Sequence, residues 1–289
     1  MQTTRALPNN LLLAALPQEV QEKLRPDLRV LELKARHEVY SGGGPIEHVY
    51  FPQSCLISIH SRMGDAPAVE IAAVGREGMV GLPIFLGGEH TPSTAFCQIP
   101  GRSSRITAQA FRAAVGASSA FNTVLLRYTQ ALLTQISQSV ACNRAHSIEE
   151  RCARWLLLTH DSVLGDSFML TQEFLAEMLG VHRPRVSIVA ATLQQAGLIR
   201  YSRGRVRVVD RAGLENAACE CYGIVTREYE RLLEISEKSH ERRPDQQELD
   251  KGDRDARSRE HPVSNAWKQS ASDGRRRLRR RGPPRSRKQ

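Results

Sequence analysis

The chain has 289 residues, which is enough for two domains, and 40% of them are hydrophobic, which is enough to form well-packed cores. Its formal net charge is +10, but 17 of the 41 Lys and Arg residues and 9 of the 31 Asp and Glu residues lie in residues 236–289. Most of the excess positive charge therefore belongs to this tail, and it is weak evidence that the folded part binds nucleic acid.

No apolar run approaches the ~20 residues of a membrane span, and the apolar segment at residues 11–15 is too short for a signal peptide. We therefore expect a cytoplasmic protein with no membrane partner and with its six cysteines reduced. Cys219 and Cys221 are interpreted as structural or inert, because cysteines two apart cannot share one helical face and no third ligand lies nearby. The sequence thus predicts no metal site and no cofactor.

The N-terminal part changes from helical to strand-like patterns. Residues 10–24 predict one or two short helices. From about residue 28 to residue 106, short apolar runs, several of them alternating, are separated by Gly, Pro, Asn or Ser clusters. This spacing predicts an antiparallel sandwich or barrel. We interpret the glycine-rich loop at residues 75–82 as a structural turn that caps the barrel.

A long helix poor in charge follows at residues 118–143, with Arg127 as its single charged residue. Such a helix is not solvated on all sides, so it must pack on a partner. The partner is either a second copy of the chain or the body of the same chain, and both can hold for different faces. Its apolar stripe, which Leu126 and Leu133 broaden, consists of Phe121, Leu125, Tyr128, Leu132, Ile136 and Val140.

Two short helices joined at a glycine come next. Ser147 and Glu150 form a capping-box pattern that opens a preceding helix, which runs to about residue 157. Thr171 is then a suitable N-cap, Gly180 ends the first short helix, and Pro184 lies in the first turn of the second. This order predicts a helix-turn-helix, whose second helix enters the major groove of DNA.

The segments after the helix-turn-helix predict a wing and a tail. Residues 199–201 and 206–209 alternate as two strands, and their connection carries Arg203 and Arg205 on a hairpin tip suited to phosphate contact. A helix is predicted from residue 210 to about 221, with a continuation over residues 225–235. Residues 236–289 have the composition of a disordered basic tail with incidental affinity for polyanions.

The segments at residues 142–161 and 170–210 resemble the Crp/Fnr family of bacterial transcription regulators. The resemblance covers roughly residues 11–234 and is weaker before residue 142. It implies an α+β chain with a cyclic-nucleotide-binding-like jelly roll at residues 1–117, a dimerisation helix at 118–145 and a winged helix-turn-helix at 146–235. It also implies a homodimer that binds double-stranded DNA, with RNA polymerase as a candidate protein partner.

The same resemblance assigns roles on the DNA. The base-reading positions correspond to Arg183, Pro184 and Ile188, of which only Arg183 can read guanine. Contacts to the DNA backbone are expected from five further residues: Thr171, Glu173, Arg185, Ser187 and Arg205. Glu173 is the weakest of these, because a neutral amide is common at its position.

An effector pocket, if the barrel keeps one, would involve Gly75, Glu77, Gly78, Ser93 and Thr94. Nucleotide-binding members of the family hold the cyclic phosphate with an arginine. Ser93 stands where that arginine would be expected, so we expect no binding of cyclic AMP in the usual pose. The identity of any small-molecule effector stays open.

Two other classes of function remain as alternatives. A thiol-dependent enzyme could use Cys142, His146 and Asp161 as nucleophile, base and orienting acid, although no catalytic signature surrounds them. A haem or redox sensor could use His60, His90, Cys97 or His146. Single His and Cys residues are more often structural, so we expect a regulator and not an enzyme.

Overall fold

The computed structural model describes residues 9–62, 64, 68–163 and 165–234. All of these described residues belong to one compact unit. The predicted basic tail at residues 236–289 lies outside the described residues. No helix in the described part of the chain is long and apolar enough to cross a membrane.

The N-terminal half contains two antiparallel sheets, in which the strand orders are β1-β7-β3 and β2-β6-β4-β5. The predicted sandwich is therefore confirmed. The register is set by pairs such as Ile57 with Val74 and Ile57 with Cys97. The strands are β1 (Arg29–Leu33), β2 (Glu38–Tyr40), β3 (His48–Pro52), β4 (Leu56–Ser61), β5 (Val69–Val74), β6 (Thr94–Ile99) and β7 (Gly101–Thr107).

Short helices close the ends of this sandwich. The Asn10 side chain caps the first helix and donates to the carbonyls of Pro52 at 2.8 Å and Gly78 at 2.9 Å. This buried amide therefore joins the N-terminal helix to β3 and to the glycine-rich loop. The helices are α1 (Leu11–Ala14), α2 (Gln18–Leu24), α3 (Leu82–Phe85) and α4 (Ala108–Gly116), with a 3-10 turn at Arg25–Asp27.

The long helix α5 (Ser119–Ala145) packs one face into the core of its own chain. Phe121, Leu125 and Tyr128 are fully buried there, and the Tyr128 hydroxyl donates to the Met79 carbonyl at 2.7 Å. The apolar stripe that we predicted on this helix is thus largely core. Leu126, Leu133 and Val140, at intervals of seven residues, remain exposed on the opposite side.

The C-terminal half packs around the helix-turn-helix in a second core, which also includes Leu56, Ala73 and Ile99 of the sandwich. Its small sheet has the order β8-β10-β9, and the first of these strands is an element that the sequence did not reveal. The elements are α6 (Ile148–Ser162), β8 (Ser167–Met169), α7 (Gln172–Leu179), α8 (Arg183–Gln195), β9 (Ile199–Ser202), β10 (Arg205–Val208), α9 (Arg211–Ala217) and α10 (Cys221–Leu233).

The last helix returns to the N-terminal core. The expected single helix over residues 210–221 is broken, because Ala218 is extended and α10 starts afresh at Cys221. Along α10, the Tyr229 hydroxyl donates to the Gln135 amide oxygen on α5 at 2.8 Å. The chain therefore ends its described part against the long helix, and the break brings the cysteines around it to the end of that helix.

Candidate nucleic-acid interface

The turn between α7 and α8 follows from local chemistry. The Thr171 hydroxyl accepts from the Phe174 N–H at 3.2 Å and so caps α7. Gly180 ends α7 in the left-handed region at φ 63°, which a glycine adopts without a Cβ penalty. Pro184 lies in the first turn of α8, where its missing N–H costs no hydrogen bond.

Helix α8 has one buried face and one free face. Val186, Val189 and Leu193 are buried in the second core. The three predicted base-reading residues, Arg183, Pro184 and Ile188, are all exposed, and Ile188 keeps 65% of its surface accessible. A large exposed apolar side chain in the middle of a helix is suited to contact with a partner such as the methyl group of thymine.

Two contacts already tie the start of α8 to the start of α7. Arg183 Nε lies 3.0 Å from Glu173 Oε1, in an exposed ion pair. The Ser187 hydroxyl donates to Gln172 Oε1 at 2.7 Å. The structure therefore brings together the predicted base reader Arg183 and the predicted backbone residue Glu173, which partly neutralises the cation.

The wing is anchored against the same region. Arg203 and Gly204 join β9 to β10 with φ values of 50° and 72°, a pair of positive values that is typical of a type I′ hairpin. The Gly204 carbonyl accepts from the Leu170 N–H at 2.7 Å, and the Tyr201 hydroxyl donates to the Leu170 carbonyl at 2.8 Å. These bonds hold the hairpin tip beside the N-terminal end of α7, with Arg203 and Arg205 exposed.

A groove of about 510 Å³ lies between these elements. Four of the eight predicted DNA-contacting residues line it, whereas Pro184, Arg185, Ile188 and Arg205 are exposed outside its lining. Its full lining is Thr171, Gln172, Glu173, Arg183, Ser187, Ala190, Ala191, Gln194, Tyr201, Ser202, Arg203 and Gly204.

Sequence reasoning missed four polar residues of this groove: Gln172, Gln194, Tyr201 and Ser202. Arg203, which also lines the groove, stood on the predicted hairpin tip as a candidate phosphate contact. The two glutamines offered no signal, since their place in the groove depends on how α7, α8 and the wing pack. Gln194 Oε1 accepts from the Tyr201 N–H at 2.7 Å, so it joins α8 to the wing.

The residues predicted for an effector pocket are not brought together. Gly75 follows the end of β5 where Val74 pairs with Ile57, and Thr94 lies at the other end of the same sheet, where it pairs with His60. Ser93 directly precedes Thr94. Glu77, Gly75 and Gly78 are therefore separated from Ser93 and Thr94 by the length of the sheet.

The glycine-rich loop packs so tightly at Gly75 and Gly78 that neither position has room for a side chain. A Cβ on Gly75 would lie 2.0 Å from the Ser162 hydroxyl oxygen, and one on Gly78 would lie 2.6 Å from the Tyr128 ring. The Glu77 carboxylate accepts from the Gly75 N–H at 2.7 Å and so closes the loop on itself. These contacts favour the interpretation of the loop as a structural turn.

Most of the residues considered for an enzyme or a haem or redox sensor contact other groups of the chain. Asp161 pairs with Arg211 at 2.8 Å and accepts from the Tyr222 hydroxyl at 2.8 Å, so its carboxylate is engaged away from Cys142. His60 contacts the Ser58 hydroxyl at 2.7 Å, and the Cys97 thiol donates to the Ile99 carbonyl at 3.2 Å. His90 is exposed.

One expectation about the cysteines was wrong. Cys219 lies before α10 and Cys221 begins it, so the rule that two such cysteines cannot share a helical face does not apply. Cys142 and His146, at the end of α5, lie beside them. The missing third ligand is therefore present, together with a fourth, because the fold brings these distant residues together.

Comparison with known proteins agrees with this geometry. Residues 150–217 match the Crp-like helix-turn-helix domain family. FixK2 from Bradyrhizobium japonicum is 17% identical, with 66% of this chain and 98% of that chain covered and a TM-score of 0.57. A CRP-family transcriptional regulator from Thermus thermophilus is 20% identical, with 65% and 96% covered and a TM-score of 0.55. No curated protein sequence matched the chain.

A third structure, the c-di-GMP-responsive global regulator CLP from Xanthomonas campestris, is 16% identical, with 66% of this chain and 99% of that chain covered and a TM-score of 0.51. At these identities the likeness shows a shared fold, whereas the domain match identifies the DNA-binding part. Members of this family are normally not enzymes. Residues 150–217 are thus a Crp-like helix-turn-helix domain, and the chain that carries it shares the fold of Crp/Fnr-type transcription regulators.

Proposed function

We propose that the protein acts as a homodimer that reads a two-part DNA site with two copies of α8, without binding cyclic AMP. The observation that carries this proposal is the exposed N-terminal half of α8, where Arg183, Pro184 and Ile188 are accessible beside the wing. In helix-turn-helix proteins, this part of the second helix meets base edges in the major groove. The cytoplasm, which holds the bacterial chromosome, is the expected place of action.

Within each half-site, Arg183 is the reader of guanine. A guanidinium can donate two parallel hydrogen bonds to O6 and N7 of guanine, a pattern that no other base pair offers in the same position. Pro184 and Ile188 have no hydrogen-bonding side chain, and their exposed apolar surfaces suit the thymine methyl group. The preferred half-site therefore combines one guanine with neighbouring thymine.

Anchoring on the DNA backbone comes from both sides of the groove. Arg205 and the hairpin-tip residue Arg203 supply positive charge from the wing. Thr171, Ser187 and Arg185 supply donors near the helix starts. Contacts of this kind fix the register of the protein on DNA but carry no sequence information.

Glu173 restrains the reader. Its carboxylate holds Arg183 in an ion pair, and both side chains are more than half exposed. Exposed pairs contribute little energy, so DNA can separate them. The carboxylate then faces the phosphates or stays as a second partner of Arg183, and in both cases it lowers affinity.

The dimer uses the outer face of α5. Leu126, Leu133 and Val140 are 54%, 58% and 68% exposed, and their seven-residue interval is the repeat of a coiled-coil seam. The part of the predicted stripe from Phe121 to Leu132 faces the core of its own chain. A two-fold dimer through the exposed repeat would present two α8 helices to major grooves about one DNA turn apart.

Position 93 is a serine where nucleotide-binding members of the family have an arginine, and this supports the proposal that the protein does not bind cyclic AMP. The hydrogen bonds of this segment engage other groups of the same chain: the Ser93 N–H donates to the Thr91 hydroxyl at 3.3 Å, and the Thr94 hydroxyl accepts from the Gly42 N–H at 3.0 Å. Titration calorimetry of the purified protein with cyclic AMP should give no heat of binding. A dissociation constant in the micromolar range would contradict this part of the proposal.

Selection of bound DNA from a random pool tests the function as a whole. The full-length protein should enrich an inverted repeat whose half-sites lie about one turn apart, or ~34–36 Å. A single enriched half-site would contradict the dimer. No enrichment over unselected DNA, at a salt concentration that suppresses non-specific binding, would contradict sequence-specific regulation.

A further inference from the structure

Four potential metal ligands meet where the long helix ends. Cys142 and His146 lie on the last turn and cap of α5, and Cys219 and Cys221 flank the start of α10. One ligand atom from each of the four lies within 4.8 Å of all the others. The three thiols are buried, and the His146 side chain keeps 16% of its surface exposed.

The spacing of the ligand atoms matches one tetrahedral ion. Zn–S bonds of ~2.3 Å and Zn–N bonds of ~2.0–2.1 Å imply S···S separations of about 3.8 Å and S···N separations of about 3.6 Å at tetrahedral angles. Cys142 Sγ lies 3.5 Å from Cys219 Sγ, and Cys221 Sγ lies 3.5 Å from His146 Nδ1. In an iron–sulfur cluster the thiolates bind different iron atoms, so the ligand atoms of a cluster lie farther apart than those around a single ion.

The surroundings of the ligands also suit a metal. His146 faces Cys221 with Nδ1, and its Nε2 lies 3.2 Å from a carboxylate oxygen of Glu220. Histidines that bind metals commonly donate their second ring N–H to a carboxylate, which fixes the ring and the tautomer. The Gln138 amide donates to Cys221 Sγ at 3.2 Å, a bond that favours the thiolate form.

The charge balance points the same way. Three thiolates around one divalent ion leave one excess negative charge. The positive charges of Arg151 and Arg154 both act on Cys142. Arg154 has its Nε and Nη1 buried without a hydrogen-bond partner in the described part of the chain. A buried cation of this kind is less costly beside a negatively charged metal site.

We propose that Cys142, His146, Cys219 and Cys221 bind a single Zn²⁺ ion as a structural site. Four protein ligands fill a tetrahedral coordination shell and leave no position for water or substrate, which distinguishes structural from catalytic zinc. Neutral imidazole and thiolate ligands favour Zn²⁺ over Mg²⁺ or Ca²⁺, which prefer oxygen. The site uses residues that DNA reading does not need.

The ion joins segments that are far apart in sequence. It links the end of α5 to the α9–α10 connection, across 77 residues between Cys142 and Cys219. His146 is also the C-cap of α5 and directly precedes Ser147, which caps α6. Bound zinc therefore fixes the junction from which the DNA-binding domain starts, and its loss should loosen that domain relative to the long helix.

Metal analysis of the full-length protein, purified under reducing conditions without added chelator, tests the site. We expect one zinc per chain, and after exchange with Co²⁺ we expect the intense visible d–d bands and the thiolate-to-cobalt charge transfer of tetrahedral thiolate coordination. The Cys219→Ala and Cys221→Ser variants should lose the zinc. The matched control Cys152→Ala removes a buried cysteine from the neighbouring core and should keep it.

The wild-type measurements stand even where a variant fails to fold. Failure of the wild-type protein to retain Zn²⁺ or to give the cobalt spectrum would overturn the proposal. Detection of iron with acid-labile sulfide would also overturn it, because the residues would then bind a cluster. A Cys142–Cys219 disulfide found by mass spectrometry of the protein would contradict it as well, because the two cysteines would then be a redox pair. Zinc that persists in Cys219→Ala and Cys221→Ser alike would place it elsewhere.

Discussion

The indole N–H of Trp155 donates to Oε1 of Glu70 at 3.2 Å, and this bond connects α6 of the DNA-binding domain to β5 of the sandwich. The Ser58 hydroxyl donates to the second oxygen of the same carboxylate and also lies 3.8 Å from the Met178 sulfur on α7. Burial raises the pKa of Glu70 to about 7. A carboxyl that titrates near neutral pH therefore lies at the junction between the two domains.

Glu70→Gln should change the pH dependence of stability. Since the folded-state pKa lies above the unfolded value, the folded state binds the extra proton, and stability falls as pH rises from about 4.5 through about 7. The glutamine side chain of the variant does not ionise, so the variant does not lose stability in this way. We therefore expect the thermal midpoint of the variant, measured relative to that of the wild type, to rise as the pH is raised from 5 to 8.

The difference between the two proteins isolates Glu70. His60, Arg154 and Glu177 lie nearby and are present in both proteins, so the contributions of these residues largely cancel in the difference. This matters for His60, because burial lowers its pKa to about 4 and gives stability the opposite pH trend, a gain as pH rises from about 4 to 6.5. Thermal midpoints that differ by the same amount at pH 5 and pH 8 would contradict the assignment.

Charges on the outer face of α5 should separate the dimer without unfolding the chain. Leu126→Glu together with Leu133→Glu would bury unpaired charges in the proposed seam, whereas both residues are exposed in the single chain. Sedimentation should show a folded monomer that has lost most of its affinity for the two-part DNA site. A persistent dimer would exclude this face.

Leu132 provides the matched control on the same helix. It is only 4% exposed, within the core of its own chain. Leu132→Ala should lower the free energy of unfolding by about 2–5 kcal/mol while the folded fraction stays dimeric. The two faces of α5 are then distinguished by separate measurements.

Glu173→Gln should strengthen DNA binding. The change removes a carboxylate from the groove and releases Arg183 from a pair of the kind that contributes about 0.2–1 kcal/mol. We expect affinity for each half-site to rise by up to about fivefold in a fluorescence titration at constant salt. Glu149→Gln, an exposed acid outside the groove lining, should leave affinity nearly unchanged. Weaker binding by Glu173→Gln would mean that the carboxylate positions Arg183.

Local chemistry explains why the helix-turn-helix could be predicted from the sequence. Thr171, Gly180 and Pro184 act within a few residues of their own positions, as cap, helix end and first-turn residue. The capping box of Ser147 and Glu150 is likewise present, with both of its hydrogen bonds. Such signals survive without knowledge of the fold, because the atoms that they satisfy are close in sequence.

Contacts between distant residues could not be predicted in the same way. Periodicity showed that α5 must pack on something, but only the fold decides that Leu125 faces the core and Leu126 faces outward. The cysteine cluster is a stronger example, since Cys142 and Cys219 meet across 77 residues. Their proximity depends on the extended conformation of Ala218, which ends α9. An alanine at this position gives no sequence signal for such a break.

Comparison of Arg183→Ala with Arg205→Ala in DNA selection tests the central claim most directly. Arg183→Ala should cost roughly 1–3 kcal/mol per half-site on the preferred DNA and relax the preference at one base pair in each half. Arg205→Ala, a backbone contact on the wing, should weaken all sequences about equally and reduce the salt dependence of binding. An unchanged preferred sequence in Arg183→Ala, with uniformly weaker binding, would contradict the account.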